Sequence, residues 1–279
     1  MTTGSDPLIS VTELAWDFSR FKVVDGSWHL PSARRNARAE FEAAHLPEAV
    51  FFDIDAVADR STDLPHMLPS PEAFAHAVGE MGIGPDDAVV VYDSVGLFSA
   101  PRVWWTFRAM GHPDIRVLEG GLPRWRQAGL PVMAGSPCPV PVRYEPRPRP
   151  ELVRSLEQVQ ASLGSGDVQV IDARPAARFR GEAPEPRPGL RLGHMPGALN
   201  LPFSEVLDGQ GGLRPENELR RAAEAAGLDL DRAITASCGS GVTAAIVLLA
   251  LARLDRADAA LYDGSWAEWG GREDTPVVS

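Results

Sequence analysis

One of the two cysteines, Cys238, lies in a loop of small residues between two apolar runs, and residues 234–244 read ITASCGSGVTA. The glycines at positions 239 and 241 permit backbone dihedrals that turn successive N–H groups toward one point. A thiolate among those dipoles, beside a helix N-terminus, is stabilised relative to its thiol. The pattern therefore predicts a sulfur nucleophile. We expect the loop to bind substrate through Gly239, Gly241, Val242 and Thr243.

Two other interpretations of this loop follow from its residues. A buried cysteine often serves only as a small apolar packing residue. A phosphatase loop would need an arginine six positions after the cysteine to hold the phosphoryl oxygens, and Ala244 stands there. Phosphatase chemistry is therefore excluded. Cys138 lies in a proline-rich stretch without neighbouring loop glycines, so we expect it to be incidental.

The composition of the 279 residues is that of a globular protein, with 44% hydrophobic and 23% charged residues. The net charge of −11 disfavours binding to nucleic acids and to anionic membranes. Residues 1–14 hold no basic stretch followed by a long apolar run, and two cysteines are too few for a disulfide framework. These features predict a soluble cytoplasmic protein.

The chain consists of two similar halves. Residues 135–150 read GSPCPVPVRYEPRPRP, which neither a helix nor a central strand tolerates, so we expect a linker there between domains 1–134 and 151–279. The halves share a weak internal repeat. Its pairs are residues 23–25 with 170–172, 45–49 with 194–198, and 118–121 with 261–264.

Apolar runs alternate with helical patterns in both halves. Strands are predicted at Ala88–Tyr92, Val168–Asp172 and Ala233–Ser237. Helices are predicted at Pro101–Met110 and at Val242–Leu254, which is apolar nearly all round. Strands joined by helical crossovers indicate two α/β domains with parallel sheets.

Motifs along nearly the whole chain resemble those of the two-domain rhodaneses and, within them, the mercaptopyruvate sulfurtransferases. They are DGSW at 25–28, FFDID at 51–55, SAPRVWW at 99–105, the Cys238 loop, and YDGSWAEW at 262–269. The resemblance implies two tandem rhodanese-like domains, each a parallel sheet flanked by helices, of which the N-terminal one is catalytically inactive. The repeat agrees, because Asp93, which cannot carry sulfur, stands opposite Cys238.

The same resemblance assigns the donor site. Thiosulfate-type rhodaneses follow the cysteine with arginine and lysine, whereas Gly239 and Ser240 stand here, as in enzymes that use mercaptopyruvate. The donor-binding residues it implies are Arg178 and Arg187, whose guanidinium groups can bind the carboxylate of an α-keto acid. We expect Arg174 to support the turn at Asp172. The remaining arginines of this region, Arg180 and Arg191, are interpreted as solvated loop residues.

The family also has an Asp-His-Ser relay, which Asp55, His66 and Ser240 match. An imidazole oriented by a carboxylate can make the serine a proton shuttle. The alternative for Asp55 and His66 is a structural hydrogen bond. His45 and His194 take matching places in the repeat and are interpreted as structural turn residues. Neither metal-site spacing nor a cofactor motif occurs, so we expect no metal and no cofactor.

The expected function is therefore transfer of sulfur from 3-mercaptopyruvate to a thiol or cyanide through a persulfide on Cys238. The expected partners are a small-molecule sulfur donor and a thiol acceptor, either a thioredoxin-like protein or a low-molecular-weight thiol. Neither a nucleic acid nor a membrane is expected. Two alternatives stay open: a thiosulfate sulfurtransferase, and a non-catalytic rhodanese-type docking module.

Overall fold

The computed structural model describes residues 6–279 and divides into two compact units. Unit 1 comprises Met1–Asp59, of which the structure describes residues from 6 onward, Leu68–Arg149 and Asp208–Leu213. Unit 2 comprises Arg60–Met67, Pro150–Leu207 and Arg214–Ser279. A short segment of the N-terminal half therefore belongs to unit 2, and a short segment of the C-terminal half belongs to unit 1. Residues 1–5, which belong to the N-terminal stretch 1–14 considered above, lie outside the described residues.

Unit 1 holds a five-stranded sheet with helices between its strands. Its strands are β1 (Leu8–Ile9), β2 (Phe21–Asp25), β3 (Val50–Phe51), β4 (Ala88–Tyr92) and β5 (Ile115–Leu118). Its α-helices are α1 (Val11–Trp16), α2 (Ala37–Ala43), α3 (Ile54–Val57), α4 (Pro71–Glu80), α5 (Ala100–Ala109) and α6 (Gly121–Gln127). Short 3₁₀ turns occupy Phe18–Arg20 and Pro31–Ala33.

Unit 2 repeats this plan. Its strands are β6 (Val153–Arg154), β7 (Val168–Asp172), β8 (Leu199–Asn200), β9 (Ala233–Ser237) and β10 (Ala260–Tyr262). Its α-helices are α7 (Leu156–Ser165), α8 (Ala176–Phe179), α9 (Glu216–Ala225), α10 (Val242–Arg253) and α11 (Ser265–Trp269). The 3₁₀ turns lie at Pro150–Leu152 and Phe203–Val206.

Both sheets are parallel and have corresponding strand orders, β1-β5-β4-β2-β3 and β6-β10-β9-β7-β8. The internal repeat is thus a structural one, and the predicted α/β class with parallel sheets is confirmed. All three predicted strands match β4, β7 and β9 to the residue. Helix Pro101–Met110 is found as α5, which begins and ends one residue earlier.

The apolar sequence of α10 explains its place in the core. Nine of its residues, from Val242 to Leu251, are buried, because apolar side chains on every face require protein contacts all round. The side chains of four tryptophans are also buried in the cores: Trp104 and Trp105 of α5, and Trp266 and Trp269 of α11. Within residues 6–279, no helix is both long enough and apolar enough to cross a bilayer.

Candidate active site

Cys238 directly follows β9, at the carboxyl end of the sheet of unit 2, and only 2% of its surface is exposed. Loops at this edge of parallel sheets commonly form ligand sites. The Cys238 N–H donates to Ser265 Oγ at 3.2 Å, and that hydroxyl donates to the Tyr262 carbonyl at 2.9 Å. Ser265, which the sequence did not single out, thus anchors the cysteine backbone to the end of β10.

Helix α11 fixes the direction of the loop peptides. The Cys238 carbonyl accepts from the Trp266 N–H, and the Gly239 carbonyl accepts from the Ala267 N–H, both at 2.9 Å. These two carbonyls therefore bond to α11. Gly241 has a φ of 77°, in the left-handed region that favours glycine, and α10 begins at the next residue. The expected need for glycine at position 241 is confirmed.

The matching loop of unit 1 shows what such a loop does to the side chain at its start. Asp93 follows β4 as Cys238 follows β9, and its buried carboxylate accepts five backbone N–H bonds. The donors are Val95, Gly96, Phe98, Ser99 and Ala100, at 2.8 to 3.0 Å. Strand-to-helix loops in this fold can thus direct several N–H dipoles at one anionic side chain.

Gly239 does not have the positive φ that was expected of it, and the space beside it is instead occupied by two arginine side chains. A Cβ added there would lie 3.2 Å from Arg178 Nη2 and 4.0 Å from Arg187 Nη1. The two guanidinium groups predicted to bind the donor therefore lie next to the residue that follows Cys238. This proximity is the main geometric feature of the site.

A buried chain of charges supports Arg178. The Arg174 Nε donates to both Asp172 oxygens, and its Nη1 donates to Glu185 Oε1 at 2.8 Å. Arg178 donates to Glu185 from Nε and from Nη2. Burial lowers the pKa of Arg174, but the carboxylates of Asp172 and Glu185 outweigh it and raise that pKa above its ordinary value. The structural role expected of Arg174 is confirmed.

Arg187 contacts His66, which belongs to the segment Arg60–Met67 of unit 2. Arg187 Nη2 lies 3.2 Å from His66 Nε2. Since a guanidinium can only donate, His66 Nε2 accepts in this geometry, and the ring proton is on Nδ1. His66 has a φ of 63°, a conformation costing about 1 kcal/mol or more in a residue other than glycine.

The other relay residues lie in different places. Ser240 is buried in the Cys238 loop of unit 2. Asp55 is in the first turn of α3 in unit 1, where its Oδ2 accepts from Trp28 Nε1 at 2.9 Å. The Asp55–His66–Ser240 relay stays a prediction. Val242 and Thr243, also predicted to contact the donor, form the first turn of α10.

Of the two arginines expected to be solvated loop residues, one is exposed and the other is not. Arg180 is a surface residue, 54% exposed and paired with Glu182. The solvated role expected of Arg191 is wrong, because its guanidinium donates to the carbonyls of Gly270, Trp269 and Thr275 and thereby holds the C-terminal segment.

The structural role of the two repeat-related histidines is confirmed. His45 Nδ1 bonds the Phe41 carbonyl, and His194 Nδ1 bonds the Phe179 carbonyl, each at 2.8 Å. In the part of the chain from residue 6 onward, no group of three or more His, Cys, Asp or Glu side chains is placed to hold a metal. Sequence reasoning missed Glu185, whose one signal was an acidic residue within an arginine-rich stretch.

Comparison with known proteins decides the family. The model of the Rhodanese-like domain matches this chain twice, at residues 17–128 and 155–272. This chain belongs to the rhodanese family. The 3-mercaptopyruvate sulfurtransferase of Escherichia coli (strain K12) is 45% identical to it, over 94% of this chain and 93% of the relative.

Two further matches agree with this rhodanese assignment. "Thiosulfate/3-mercaptopyruvate sulfurtransferase 1, mitochondrial" of Arabidopsis thaliana is 42% identical, covering 99% of this chain and 79% of the relative. The crystal structure of SseA from Escherichia coli, described as a 3-mercaptopyruvate sulfotransferase with the rhodanese fold, superposes with a TM-score of 0.87. That match is 40% identical and covers 94% of this chain and 99% of SseA.

Proposed function

We propose that this rhodanese is a 3-mercaptopyruvate sulfurtransferase, which moves sulfur from 3-mercaptopyruvate to a thiol or cyanide through a persulfide on Cys238. The observation that carries the proposal is the position of Arg178 and Arg187 beside Gly239. Two guanidinium groups next to the nucleophile suit a donor whose carboxylate and keto oxygens need hydrogen-bond donors near its sulfur. The names of the relatives support the same reaction.

In the first half of the reaction, the Cys238 thiolate attacks the thiol sulfur of 3-mercaptopyruvate. An S–S bond forms, the C–S bond breaks, and its electron pair leaves with the three-carbon unit as the enolate of pyruvate. Arg178 and Arg187 hold the carboxylate and the keto oxygen, so negative charge develops on an oxygen that already accepts hydrogen bonds. The enolate then takes a proton at its methylene carbon.

In the second half, the acceptor removes the outer sulfur. The persulfide on Cys238 carries its charge at the N-terminus of α10, where helix and loop N–H dipoles favour an anion. A thiolate or cyanide attacks the outer sulfur, the S–S bond breaks, and its electron pair returns to Cys238. No further reactant is needed for the balance of atoms and electrons.

Ser240 is the proton shuttle in this proposal, assisted by His66 and Asp55. Its support is the burial of Ser240 two residues after Cys238 and the strained backbone at His66. Ser240→Ala should slow pyruvate release while persulfide formation on Cys238 proceeds. Unchanged turnover of Ser240→Ala across the pH range would remove the hydroxyl from the mechanism.

The physiological setting follows from the same chemistry. We propose a cytoplasmic enzyme whose acceptor is a thioredoxin-like protein or a low-molecular-weight thiol, because a persulfide needs a reducing thiol to turn over. The N-terminal domain 1–134 is catalytically inactive in this proposal, since Asp93 stands where a sulfur carrier would be. Residues 135–150 are its linker to the catalytic domain 151–279.

The decisive experiment measures kcat/KM with 3-mercaptopyruvate and with thiosulfate, each with cyanide as acceptor. Cys238→Ala should abolish turnover, and Cys138→Ala, at the other cysteine of the chain, should leave it unchanged because that side chain is exposed and far along the sequence. Mass spectrometry after incubation with the donor should find one added sulfur atom on the peptide that contains Cys238.

Each outcome separates the proposal from its alternatives. A strong preference for mercaptopyruvate supports the assignment of the donor. A preference for thiosulfate would keep the persulfide and replace the donor, and absence of turnover with both would favour a docking module.

A further inference from the structure

Glu185 is the buried counter-ion of a donor-binding arginine. Its carboxylate is 1% exposed and lies between two guanidinium groups. Oε1 accepts from Arg174 Nη1 at 2.8 Å and from Arg178 Nε at 3.2 Å, and Oε2 accepts from Arg178 Nη2. Arg174 has a second carboxylate partner in Asp172, at 2.6 Å, whereas Arg178 forms its ion pair with Glu185.

This pairing changes what Arg178 offers to a donor. Two of the five N–H groups of the guanidinium, one on Nε and one on Nη2, are directed to Glu185. The positive charge of Arg178 is also balanced at close range by a carboxylate that water hardly reaches, so salt screens the pair weakly. Arg178 therefore supplies hydrogen bonds beside Gly239 with little net attraction for anions.

We propose that Glu185 is the residue that sets the charge preference of the donor site, matching it to a monoanion and disfavouring a dianion. The inference rests on the proposed function and deepens it. 3-Mercaptopyruvate with a neutral thiol carries one negative charge, whereas thiosulfate carries two. The carboxylate of Glu185 repels each negative charge on the donor, so the repulsion is greater for thiosulfate.

The size of the effect follows from Coulomb's law. The Coulomb energy of two unit charges roughly 8 Å apart, at an effective dielectric constant of about 30, changes an equilibrium constant by about a factor of ten. Glu185→Gln keeps an oxygen that can accept from an arginine and removes the charge. The ratio of kcat/KM for thiosulfate to kcat/KM for mercaptopyruvate should therefore rise about tenfold.

Two variants separate charge from geometry. Glu182→Gln removes the same charge three residues away, from a side chain that is 56% exposed, and should leave the donor ratio unchanged. Glu185→Asp keeps the charge and shortens the side chain. It should raise KM for both donors through a displaced Arg178 while the ratio stays within about twofold of wild type.

The salt dependence is a second readout. Because Glu185→Gln leaves Arg178 without its counter-charge, kcat/KM for thiosulfate should fall more steeply with ionic strength in this variant than in wild type. If Glu185 had a purely structural role, Glu185→Gln would lower kcat/KM for both donors by the same factor. The dependence of kcat/KM on ionic strength would then stay as in wild type.

Binding tests the inference without turnover. In a Cys238→Ala background, calorimetry should show that Glu185→Gln strengthens binding of thiosulfate, a dianion, relative to pyruvate, a monoanion, by about the same tenfold. An unchanged ratio in both kinetics and binding would overturn the inference. Absence of turnover in the wild type would defeat the proposed function instead, and the binding ratio would still decide the role of Glu185.

Discussion

Replacing Asp93 by asparagine should destabilise unit 1 strongly while leaving the chemistry at Cys238 intact. The Oδ1 atom of Asp93 accepts hydrogen bonds from the N–H groups of Val95 and Gly96, and its Oδ2 atom accepts hydrogen bonds from three further N–H groups. An asparagine has one oxygen and one NH₂ group, and the NH₂ group cannot accept. In its better orientation the amide oxygen serves three donors, and two N–H groups then face another donor.

The expected cost can be worked from those two bonds. Hydrogen bonds to a charged group contribute about 1.5–3 kcal/mol each, and Asp93 is fully buried, so water cannot replace the lost acceptor. The loss is therefore about 3–6 kcal/mol in the free energy of unfolding of unit 1. For a unit of this size that corresponds to a decrease in Tm of about 10 °C or more.

Urea unfolding followed by tryptophan fluorescence, together with calorimetry to resolve the two units, measures this cost. Asp86→Asn is the matched control, because Asp86 is exposed on the same unit and the same change there should cost less than about 0.5 kcal/mol. The kcat of the folded Asp93→Asn protein at 25 °C should equal that of wild type. A loss below about 1 kcal/mol would refute the reasoning, because the N–H groups would then have other acceptors.

Two further predictions concern buried groups. Burial, partly offset by hydrogen bonds from Ser27 and Tyr92, raises the pKa of Asp25 from 3.8 to about 6, so the proton stabilises the fold below pH 4 and this contribution of about 3 kcal/mol is lost as pH rises through 6. Asp25→Asn should lack this loss between pH 4 and pH 7 in urea unfolding, and parallel pH profiles would contradict the assignment. His66→Leu should raise KM for mercaptopyruvate about tenfold, because Arg187 loses the acceptor that His66 provides, and should also lower kcat. His66→Gln should restore KM alone, since an amide oxygen accepts a hydrogen bond but takes no proton, and recovery of kcat as well would exclude the relay.

The loop at Cys238 could be predicted because its determinants are local. A left-handed turn at Gly241 and a helix apolar on every face are properties of neighbouring residues, and the structure has both. The strands β4, β7 and β9 were found for the same reason, since continuous apolar runs of five residues belong inside a parallel sheet.

The reason for Gly239 could not be predicted, because it depends on side chains distant in the sequence. Arg178 and Arg187 occupy the space beside this residue, whereas the sequence indicated only a dihedral requirement. The hydrogen bonds from Arg191 to the C-terminal segment could not be predicted for the same reason. Their acceptors are about 80 positions away, and no sequence pattern around Arg191 indicates them.

The sequence by itself determined the apolar helix after Cys238, the repeat and the family, and it predicted the nucleophile, because each depends on residue types at short spacing. Only the tertiary structure decided which charges neutralise one another. Asp172, Arg174, Arg178 and Glu185 form one buried chain of ion pairs, and His66 reaches Arg187 through a segment that folds with the other half. Electrostatic energy depends on distance through space and on burial, and neither can be inferred from the order of the residues alone.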